Sequence, residues 1–314
     1  MWSSDGTGTG TGTGTGGADA GSGSDAADRL LPRCTFPPAG TAVTCAVSGG
    51  ADSLALLVLA VRAGCGVTAV HVDHGLRAGS AAEAGVVGAA AARLGAAFRA
   101  ERVAVGVGPN LEARARAARY AVLPADVLTG HTADDQAETV LLNLLRGAGL
   151  AGLAGMRRDG HPLLSLRRRE TEALCRALGL TPVVDPSNAD PVHLRNRVRH
   201  ELVPVLDALA GRDVRALLAR QAELLRDDDD LLDALAAELD PTDAVALRDA
   251  PPALARRAVR RWLTPALDGY PPDAHAVGRV IDVAAGRSRC CEVAGGVRVE
   301  RHEQRLTALR TNVT

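Results

Sequence analysis

Four short polar clusters hold most of the side chains that could carry chemistry in this chain, and each follows an apolar run. Carboxylates are the oxygen ligands that Mg²⁺ prefers, and imidazoles exchange protons near neutral pH. Adjacent glycines let a ligand approach the backbone closely. The clusters therefore indicate a shared site that binds a phosphate compound. They are residues 48–53 (SGGADS), 71–77 (HVDHGLR), 131–138 (HTADDQAE) and 185–188 (DPSN).

The cluster SGGADS is predicted to be the turn from a strand into a helix. Residues 41–47 are apolar and partly β-branched, and after Asp52 leucines and valines recur at helical spacing. The first N–H groups of a helix have no partner within the helix and favour an anion. A Walker phosphate loop needs lysine, and all 36 basic residues of the chain are arginine. The alternative is a plain turn in which Asp52 or Ser53 caps the helix.

The acidic residues of these clusters could hold a metal ion. Asp52 would repel a phosphate directly, so its predicted role is to bind Mg²⁺, which bridges phosphates. Thr132 and Asp135 also form a capping-box pattern, which is a purely structural alternative for Asp135. Asp134 has no such explanation. The sequence leaves open which of these two neighbouring aspartates matters more.

The elements that position the clusters alternate between strands and helices. This alternation predicts an α/β fold, a Rossmann-like doubly wound parallel sheet whose ligands bind beyond the carboxyl ends of the strands. The predicted strands are 41–47, 67–73, 98–105, 126–131 and 181–186, and the predicted helices are 52–63, 80–95, 110–123, 133–146 and 169–178.

Composition divides the chain into three parts. Residues 1–37 begin with Gly/Thr/Ser repeats and are predicted to be a disordered tail. Residues 38–210 form the predicted catalytic domain. Residues 211–314 are predicted to form a second, smaller, mainly helical domain that ends in a hairpin around Gly295 and Gly296.

Charge and cysteine content exclude several classes of protein. The net charge of −1 is unusual for a protein that coats nucleic acid nonspecifically, although arginine clusters can still bind RNA phosphates. Six cysteines without a CxxC pair indicate reduced thiols rather than a disulfide framework. No apolar stretch is long enough to span a bilayer, and no export signal is evident. We therefore expect a cytoplasmic protein without a membrane partner; a homodimer is compatible with the sequence.

Taken together, the clusters resemble one family. SGGADS resembles the SGGxDS loop of the N-type ATP pyrophosphatases, or PP-loop superfamily. Within that superfamily the chain resembles the tRNA(Ile)-lysidine synthetases from about Thr41 to Leu206. The motifs that carry this resemblance occur in the family's order: HVDHGLR, NLEARARAARY (110–120), GHTADDQAET (130–139), DPSN and RNRVRHELVPVL (195–206).

The resemblance implies a reaction in two steps. ATP activates carbon 2 of the wobble cytidine of an isoleucine tRNA with a CAU anticodon, as an adenylate, and pyrophosphate is released. The amino group of free L-lysine then displaces AMP and forms lysidine. The implied cofactors are ATP and Mg²⁺, and the implied partners are this tRNA and lysine.

The resemblance also implies roles for individual residues. Catalysis is assigned to Asp52, Asp135, His131 and Arg116, and Asp52 and Asp135 are the metal candidates. We expect Asp135, together with His131, either to assist the metal or to polarise the incoming amine. ATP binding is assigned to Ser48, Gly49, Gly50, Ala51, Asp52, Ser53, His71 and Val72. Binding of tRNA is assigned to Arg77, Arg119, Arg195, Asn196 and Arg199.

Two details refine these expectations. Arg195 and Arg199 stand four residues apart on one predicted helix face, where like charges repel unless an anion lies between them. A tRNA phosphate is the expected anion. Where relatives usually have a basic residue before Pro-Leu-Leu, this chain has His161, which is mostly uncharged near neutral pH.

Three rival functions share the same loop. A tRNA thiolase would need clustered or active-site thiols, which the cysteine spacing does not favour. A small-molecule ligase would have no use for the Arg195/Arg199 pair. A nucleotide-binding domain without catalysis would not need Asp134 and Asp135.

Overall fold

The computed structural model describes residues 20–73, 75, 80–104, 106, 111–183, 190 and 192–310. The described residues divide into two compact units. The first contains the chain up to Gly147 together with Gly155–Arg220, and the second contains Ala148–Ala154 with the chain from Gln221 onward.

A four-stranded sheet forms the centre of the first unit. Its strands are β1 (Ala42–Ala46), β2 (Gly66–Asp73), β3 (Ala97–Arg102) and β4 (Leu128–Thr129), in the order β3-β2-β1-β4. All three pairings are parallel. Because β2 and β4 lie on opposite sides of β1, the sheet has a switch point at the carboxyl end of β1, where ligands bind in such folds. The parallel α/β sheet predicted from the sequence is confirmed.

One predicted strand is absent from the described part of the chain. Residues 181–183 have no strand structure, and 184–189, which include most of the DPSN cluster, lie outside the described residues. Pro182 lacks the N–H that a central strand donates. The N–H of Val183 donates a backbone hydrogen bond of 2.9 Å to the carbonyl of Gly49.

Helices cover the sheet where the periodicity predicts them. The buried leucines of α2 form much of the core, including Leu54, Leu56, Leu57 and Leu59, each at most 1% exposed. Burial of one such side chain contributes about 2 kcal/mol. The helices are α2 (Ala51–Arg62), α3 (Ser80–Arg93), α4 (Leu111–Ala121), α5 (Ala133–Leu145) and α7 (Arg168–Ala177).

The disordered tail predicted for residues 1–37 extends too far. Helix α1 (Ala20–Leu30) is followed by a 3-10 turn at Leu31–Arg33, whereas residues 1–19 lie outside the described part. Ala27 lies in the core, 3% exposed, and Asp28 accepts two hydrogen bonds of 2.6 Å from Arg62. Unlike the Gly/Thr repeats, this segment has apolar side chains to bury, so it can offset its ordering entropy.

The first unit ends in a helical segment that contains a π turn. Its parts are α8 (Leu194–Arg197), the π turn Val198–Leu202 and α9 (Val203–Ala210). Pro204 has no N–H to donate to the preceding turn, and this favours the wider hydrogen-bond spacing of a π turn over that of an α-helix. Helix α10 (Val214–Ala237) follows, and the division between the units falls within it.

The second unit has its own core of small helices and an antiparallel sheet. Side chains of Asp243 and Asp273 cap two of the helices. Strands β5 and β6 pair on either side of Gly295 and Gly296, so the predicted hairpin is confirmed, and β7 extends it to three strands. The elements are α6 (Leu150–Leu153), α11 (Ala244–Asp249), α12 (Pro252–Leu263), α13 (Ala274–Ala284), β5 (Cys290–Val293), β6 (Val297–His302) and β7 (Arg305–Arg310). Across the ranges described above, none of the helices combines the length and apolar character that crossing a membrane requires.

Candidate active site

The loop SGGADS lies at the switch point, directly after β1. Gly49 has φ +92°, a left-handed conformation that side chains disfavour. Gly50 is the N-cap of α2 and Leu54 makes the first helical bond, 3.0 Å to the Gly50 carbonyl. Ser53 accepts from the Ser48 N–H at 3.2 Å and donates to the Gly50 carbonyl at 2.9 Å. The alternative that Asp52 or Ser53 caps the helix is wrong, since Gly50 holds that position without a side-chain bond.

The loop between β4 and α5 lies directly against the first turn of α2. A Cβ atom at Gly130 would lie 2.5 Å from the carbonyl oxygen of Asp52 and 3.0 Å from the N of Ser53. Only glycine allows the two backbones to approach so closely. This contact brings the cluster that begins at His131 to the side of Asp52.

The guanidinium of Arg168, at the start of α7, joins carboxylates from two helices. Its Nε lies 3.1 Å from Asp52 Oδ2, its Nη2 lies 2.9 Å from Asp135 Oδ1, and its Nη1 lies 4.0 Å from Glu138 Oε1. Thr171, one turn further along α7 and fully buried, donates its hydroxyl to Asp52 Oδ1. Two predicted metal candidates, Asp52 and Asp135, therefore face the same cation.

Asp135 has a structural role and a site role at the same time. Its Oδ2 accepts from the N–H of Thr132 at 2.9 Å and from the Thr132 hydroxyl at 3.0 Å, which is the capping box expected from the sequence. Its Oδ1 is left for Arg168. Since a carboxylate has two oxygens, the two interpretations of Asp135 do not exclude each other.

The two site aspartates have pKa values shifted in opposite directions. Burial raises the pKa of Asp52, and this effect outweighs the attraction of Arg168. Burial also acts to raise the pKa of Asp135, but the charges of Arg168 and His131 and the Thr132 hydrogen bond leave it below its ordinary value. Asp52 is thus the carboxylate whose ionised form is less stabilised in the fold.

Asp134 belongs to a different contact. It accepts from Arg167 Nε at 3.0 Å and from the Arg168 N–H at 2.9 Å, and Arg215 lies 3.5 Å away. These bonds hold the pKa of Asp134 below its usual range although burial opposes them. Arg167 also pairs with Asp213. Asp134 therefore joins α5 to α7 and α10.

Glu138 is the anion that lies between Arg195 and Arg199. Its Oε2 accepts from Arg195 Nε at 2.9 Å, and its Oε1 accepts from Arg199 Nε at 2.6 Å. Glu138 is 1% exposed. The expectation that a tRNA phosphate must relieve this arginine pair is therefore wrong, because a carboxylate one turn beyond Asp134 already does so. Asn196, assigned to tRNA, is buried, and its amide donates to the Asp190 carbonyl at 2.8 Å.

The adenosine candidates lie at the end of β2. His71 is 2% exposed, and its Nδ1 bonds the Val47 carbonyl at 3.0 Å. A carbonyl only accepts, so the proton is on Nδ1 and Nε2 is an acceptor. That Nε2 is buried without a hydrogen-bond partner among the described residues. Val72 beside it is half-buried.

His131 shares a hydroxyl with a second histidine. The Oγ1 of Thr129, the last residue of β4, lies 2.7 Å from His131 Nδ1 and 2.6 Å from His161 Nδ1. The two rings meet edge to face with centroids 4.8 Å apart.

Of the other arginines predicted for the site, the structure describes only some. Arg119 is half-buried on α4, and its guanidinium carbon lies 5.6 Å from the centre of the Tyr120 ring. Arg116 lies on the same helix, with its side chain outside the described part of the structure, and Arg77 lies outside the described residues.

Sequence reasoning missed the residues that α7 contributes. Arg167 pairs with Asp134, and Arg168 pairs with Asp52 and Asp135 and lies 4.0 Å from Glu138. One signal was available: Glu170 stands three residues after Arg167, and its Oε2 accepts from the Arg167 N–H at 2.8 Å at the start of α7. That signal fixes the start of α7 but not which way its arginines point.

Comparisons with known proteins agree with this geometry. A family model described as the PP-loop domain matches residues 27–206, and one described as the TilS substrate binding domain matches residues 243–307. The tRNA(Ile)-lysidine synthase of Nocardia farcinica is 46% identical over 83% of this chain and 87% of its own length. That of Thermobifida fusca is 42% identical over 86% of this chain and 92% of its own. Among solved structures, the U34-tRNA thiolase NcsA of Methanococcus maripaludis with its [4Fe-4S] cluster resembles 65% of this chain and 78% of its own, with a TM-score of 0.50 and 17% identity.

The parallel sheet and the glycine-rich loop after its first strand define an ATP-using enzyme of the PP-loop class. Within that class the chain belongs to the tRNA(Ile)-lysidine synthase family. The ligase class and the lysidine-forming function expected from the sequence are confirmed.

The thiolase alternative finds no support. The likeness to the solved thiolase extends to the fold alone, because the sequences are only 17% identical. Burial raises the pKa of Cys45 and of Cys175 to about 12, which keeps both as thiols at neutral pH.

Proposed function

We propose that the loop SGGADS binds the phosphates of ATP and that β2 receives its adenosine. The glycine backbone at residues 49 and 50 and the first N–H groups of α2 support a phosphate site without a lysine. The buried acceptor on His71 supports an adenosine site, since a ligand N–H would satisfy it.

Asp52 and Asp135 would hold Mg²⁺ together with the phosphates. No described group of three or more His, Cys, Asp and Glu side chains is arranged to hold a metal alone. Mg²⁺ usually takes only one or two carboxylates and completes its shell with phosphate and water. Both aspartates bond the Arg168 guanidinium, so their free lone pairs fit one cation once Arg168 turns aside. When bound, the ion neutralises charge that develops on the departing pyrophosphate.

Free lysine is the proposed nucleophile, with His131 and Asp135 at the site of its reacting amine. An amine must lose a proton as it forms the new C–N bond, and an imidazole beside a carboxylate is suited to accept it. Glu138 holds Arg195 and Arg199 next to this region, where their remaining N–H donors support binding of the tRNA backbone.

The convergence of Asp52, Asp135 and Glu138 on one guanidinium carries this proposal. It is tested by incubating the protein with ATP, lysine and tRNA transcripts that differ only at the wobble base, and by measuring AMP and lysidine. We expect AMP only with the cytidine transcript and lysine. Release of AMP without tRNA would contradict the proposal and favour a small-molecule ligase.

Neighbouring aspartates provide a matched pair for the same assay. Asp135→Asn keeps the shape of the cap but removes the charge that faces Arg168, and we expect a loss of at least ~10²-fold in lysidine formation. Asp134→Asn should cost far less activity, because Asp134 bonds Arg167 and the backbone N–H of Arg168 rather than the Arg168 guanidinium that faces Asp52. Equal losses in both variants would remove Asp135 from its proposed role.

The proposal includes a homodimer. In the second unit, exposed Leu224 and Leu231 lie seven residues apart along α10, which is the spacing of a helix–helix seam. Light scattering of the full chain checks the mass, and a monomer at micromolar concentration would contradict this part.

A further inference from the structure

The two histidines beside Thr129 share one hydroxyl, and this limits where their protons can be. Thr129 Oγ1 lies within 2.7 Å of both Nδ1 atoms, whereas the Gly160 carbonyl is 3.4 Å away. A hydroxyl has one proton and two acceptor lone pairs. Its single proton cannot satisfy two bare Nδ1 atoms, so at least one imidazole carries its proton on Nδ1.

The two histidines lie on opposite sides of the hydroxyl. His131 follows Thr129 by two residues and lies close enough to Asp135 for their charges to interact. His161 lies on the opposite side of the hydroxyl, after the turn in which its N–H bonds the Arg158 carbonyl at 2.9 Å. Because His131 is the proposed base for the lysine amine, it is the entry point of the relay, and His161 on the far side of the hydroxyl is the end point.

We propose that Thr129 and His161 are positioning residues that keep the His131 proton on Nδ1 and its basic lone pair on Nε2, and that His161 accepts the proton released by the lysine amine. The inference rests on the proposed role of His131. Holding a catalytic imidazole by its Nδ1–H is a known requirement for a base that acts through Nε2.

The proton balance of this relay is complete. As the amine forms its bond to carbon 2 of the activated cytidine, the carbon–oxygen bond to AMP breaks and its electron pair leaves with the phosphate. The amine proton passes to His131 Nε2. The His131 Nδ1 proton passes to Thr129 Oγ1, and the hydroxyl proton passes to His161 Nδ1. His161 then loses its Nε2 proton to water. The two imidazoles have now exchanged tautomers, so before the next turnover His161 takes up a proton on Nε2 from water, the same transfers run in reverse through Thr129, and His131 releases its Nε2 proton to water.

Nitrogen-15 spectra of the full chain test the tautomers without any assay of activity. We expect His131 protonated on Nδ1 and His161 on Nε2 in the wild type and in Thr129→Ser, with the His131 preference lost in Thr129→Val. If both imidazoles carried their proton on Nδ1, the Thr129 hydroxyl would donate to the Gly160 carbonyl instead, and the relay would be overturned. A His131 proton on Nε2 would overturn it as well.

Single-turnover kinetics test the consequence for the reaction. Thr129→Val should slow the lysine-dependent step by at least ~10-fold at saturating lysine, so that adenylated tRNA accumulates, and Thr129→Ser should restore the rate. Should Thr129→Val fail to fold, His161→Gln must give the same accumulation. If the lysine-dependent step ran at the wild-type rate in whichever of these variants folds, the relay would be overturned. Separately, normal turnover in His131→Asn would overturn the proposed role of His131, while the spectra still report the hydrogen bonds.

Discussion

The loop SGGADS and the carboxylate–arginine cluster of α5, α7 and α8 lie side by side but are ordered by different forces. The loop is held by backbone conformation, with a left-handed glycine and one shared serine hydroxyl. The cluster is held by charge, since Asp134, Asp135 and Glu138 each pair with at least one arginine. The proposed cation can therefore enter the cluster only where Arg168 yields.

Removal of Glu138 should have the largest effect on stability, because it breaks the charge balance of the cluster. Glu138→Ala leaves Arg195 and Arg199 without the carboxylate that joins them, and loss of a buried partner costs about 3–5 kcal/mol. Urea unfolding monitored by circular dichroism measures this loss.

Glu201→Ala is the matched control for this prediction. It removes a carboxylate from an exposed i, i+4 pair with Arg197, where both side chains are more than half exposed. We expect a loss below about 0.5 kcal/mol. Similar losses in the two variants would show that pairing does not order the cluster.

Substitution of Gly130 tests the contact that joins the two regions. Gly130→Ala places a methyl group 2.5 Å from the Asp52 carbonyl oxygen, so α5 must move away from α2. We expect about 1–3 kcal/mol of destabilisation, as for an overpacked core, and a clear loss of activity from misplacement of His131 and Asp135.

Gly85→Ala is the control for Gly130, since Gly85 lies in α3 with nothing within 4 Å of the new Cβ. Alanine there should raise stability by about 0.5–1 kcal/mol through helix propensity. A Gly130→Ala enzyme with normal activity would mean that the close approach is not needed to assemble the site.

The same contrast explains what the sequence could predict. The loop was predictable because its order is local: glycines, a preceding apolar run and a following helical period all occur within about twenty residues. The cluster was only partly predictable. Asp135 was identified, but Glu138 and Arg168 acquire their roles from partners 57 and 33 residues away in the chain. The sequence does not show whether an arginine on a helix faces solvent or a buried carboxylate. Helix α1 was missed for a related reason, since Ala27 is stabilised by a core formed mainly by later residues.

The smallest expected effect, and the sharpest test of the electrostatics, comes from neutralising the two aspartates one at a time. The pKa of Asp135 is lowered in the fold, so its ionised form contributes stability above the unfolded pKa, and this contribution is lost as pH falls through the folded pKa. The pKa of Asp52 is raised in the fold, so ionisation of Asp52 destabilises the folded state. This loss of stability grows as pH rises from the unfolded pKa to the folded pKa and reaches its full size above the folded pKa. At pH 7, Asp135→Asn should therefore lower the free energy of unfolding by about 1–2 kcal/mol, and Asp52→Asn should leave it equal or higher.

Unfolding of both variants at pH 7 and at pH 3 measures these signs. The deficit of Asp135→Asn should shrink towards pH 3, because the Asp135 carboxylate of the unfolded wild-type chain takes up a proton there and the unfolded state gains stability. The advantage of Asp52→Asn should also shrink, because Asp52 is protonated there in both states. If Asp52→Asn were the less stable variant at pH 7, the Arg168 and Thr171 bonds would outweigh the burial of Asp52. The loop would then depend on charge pairing as much as the cluster does, and the contrast between the two regions would be lost.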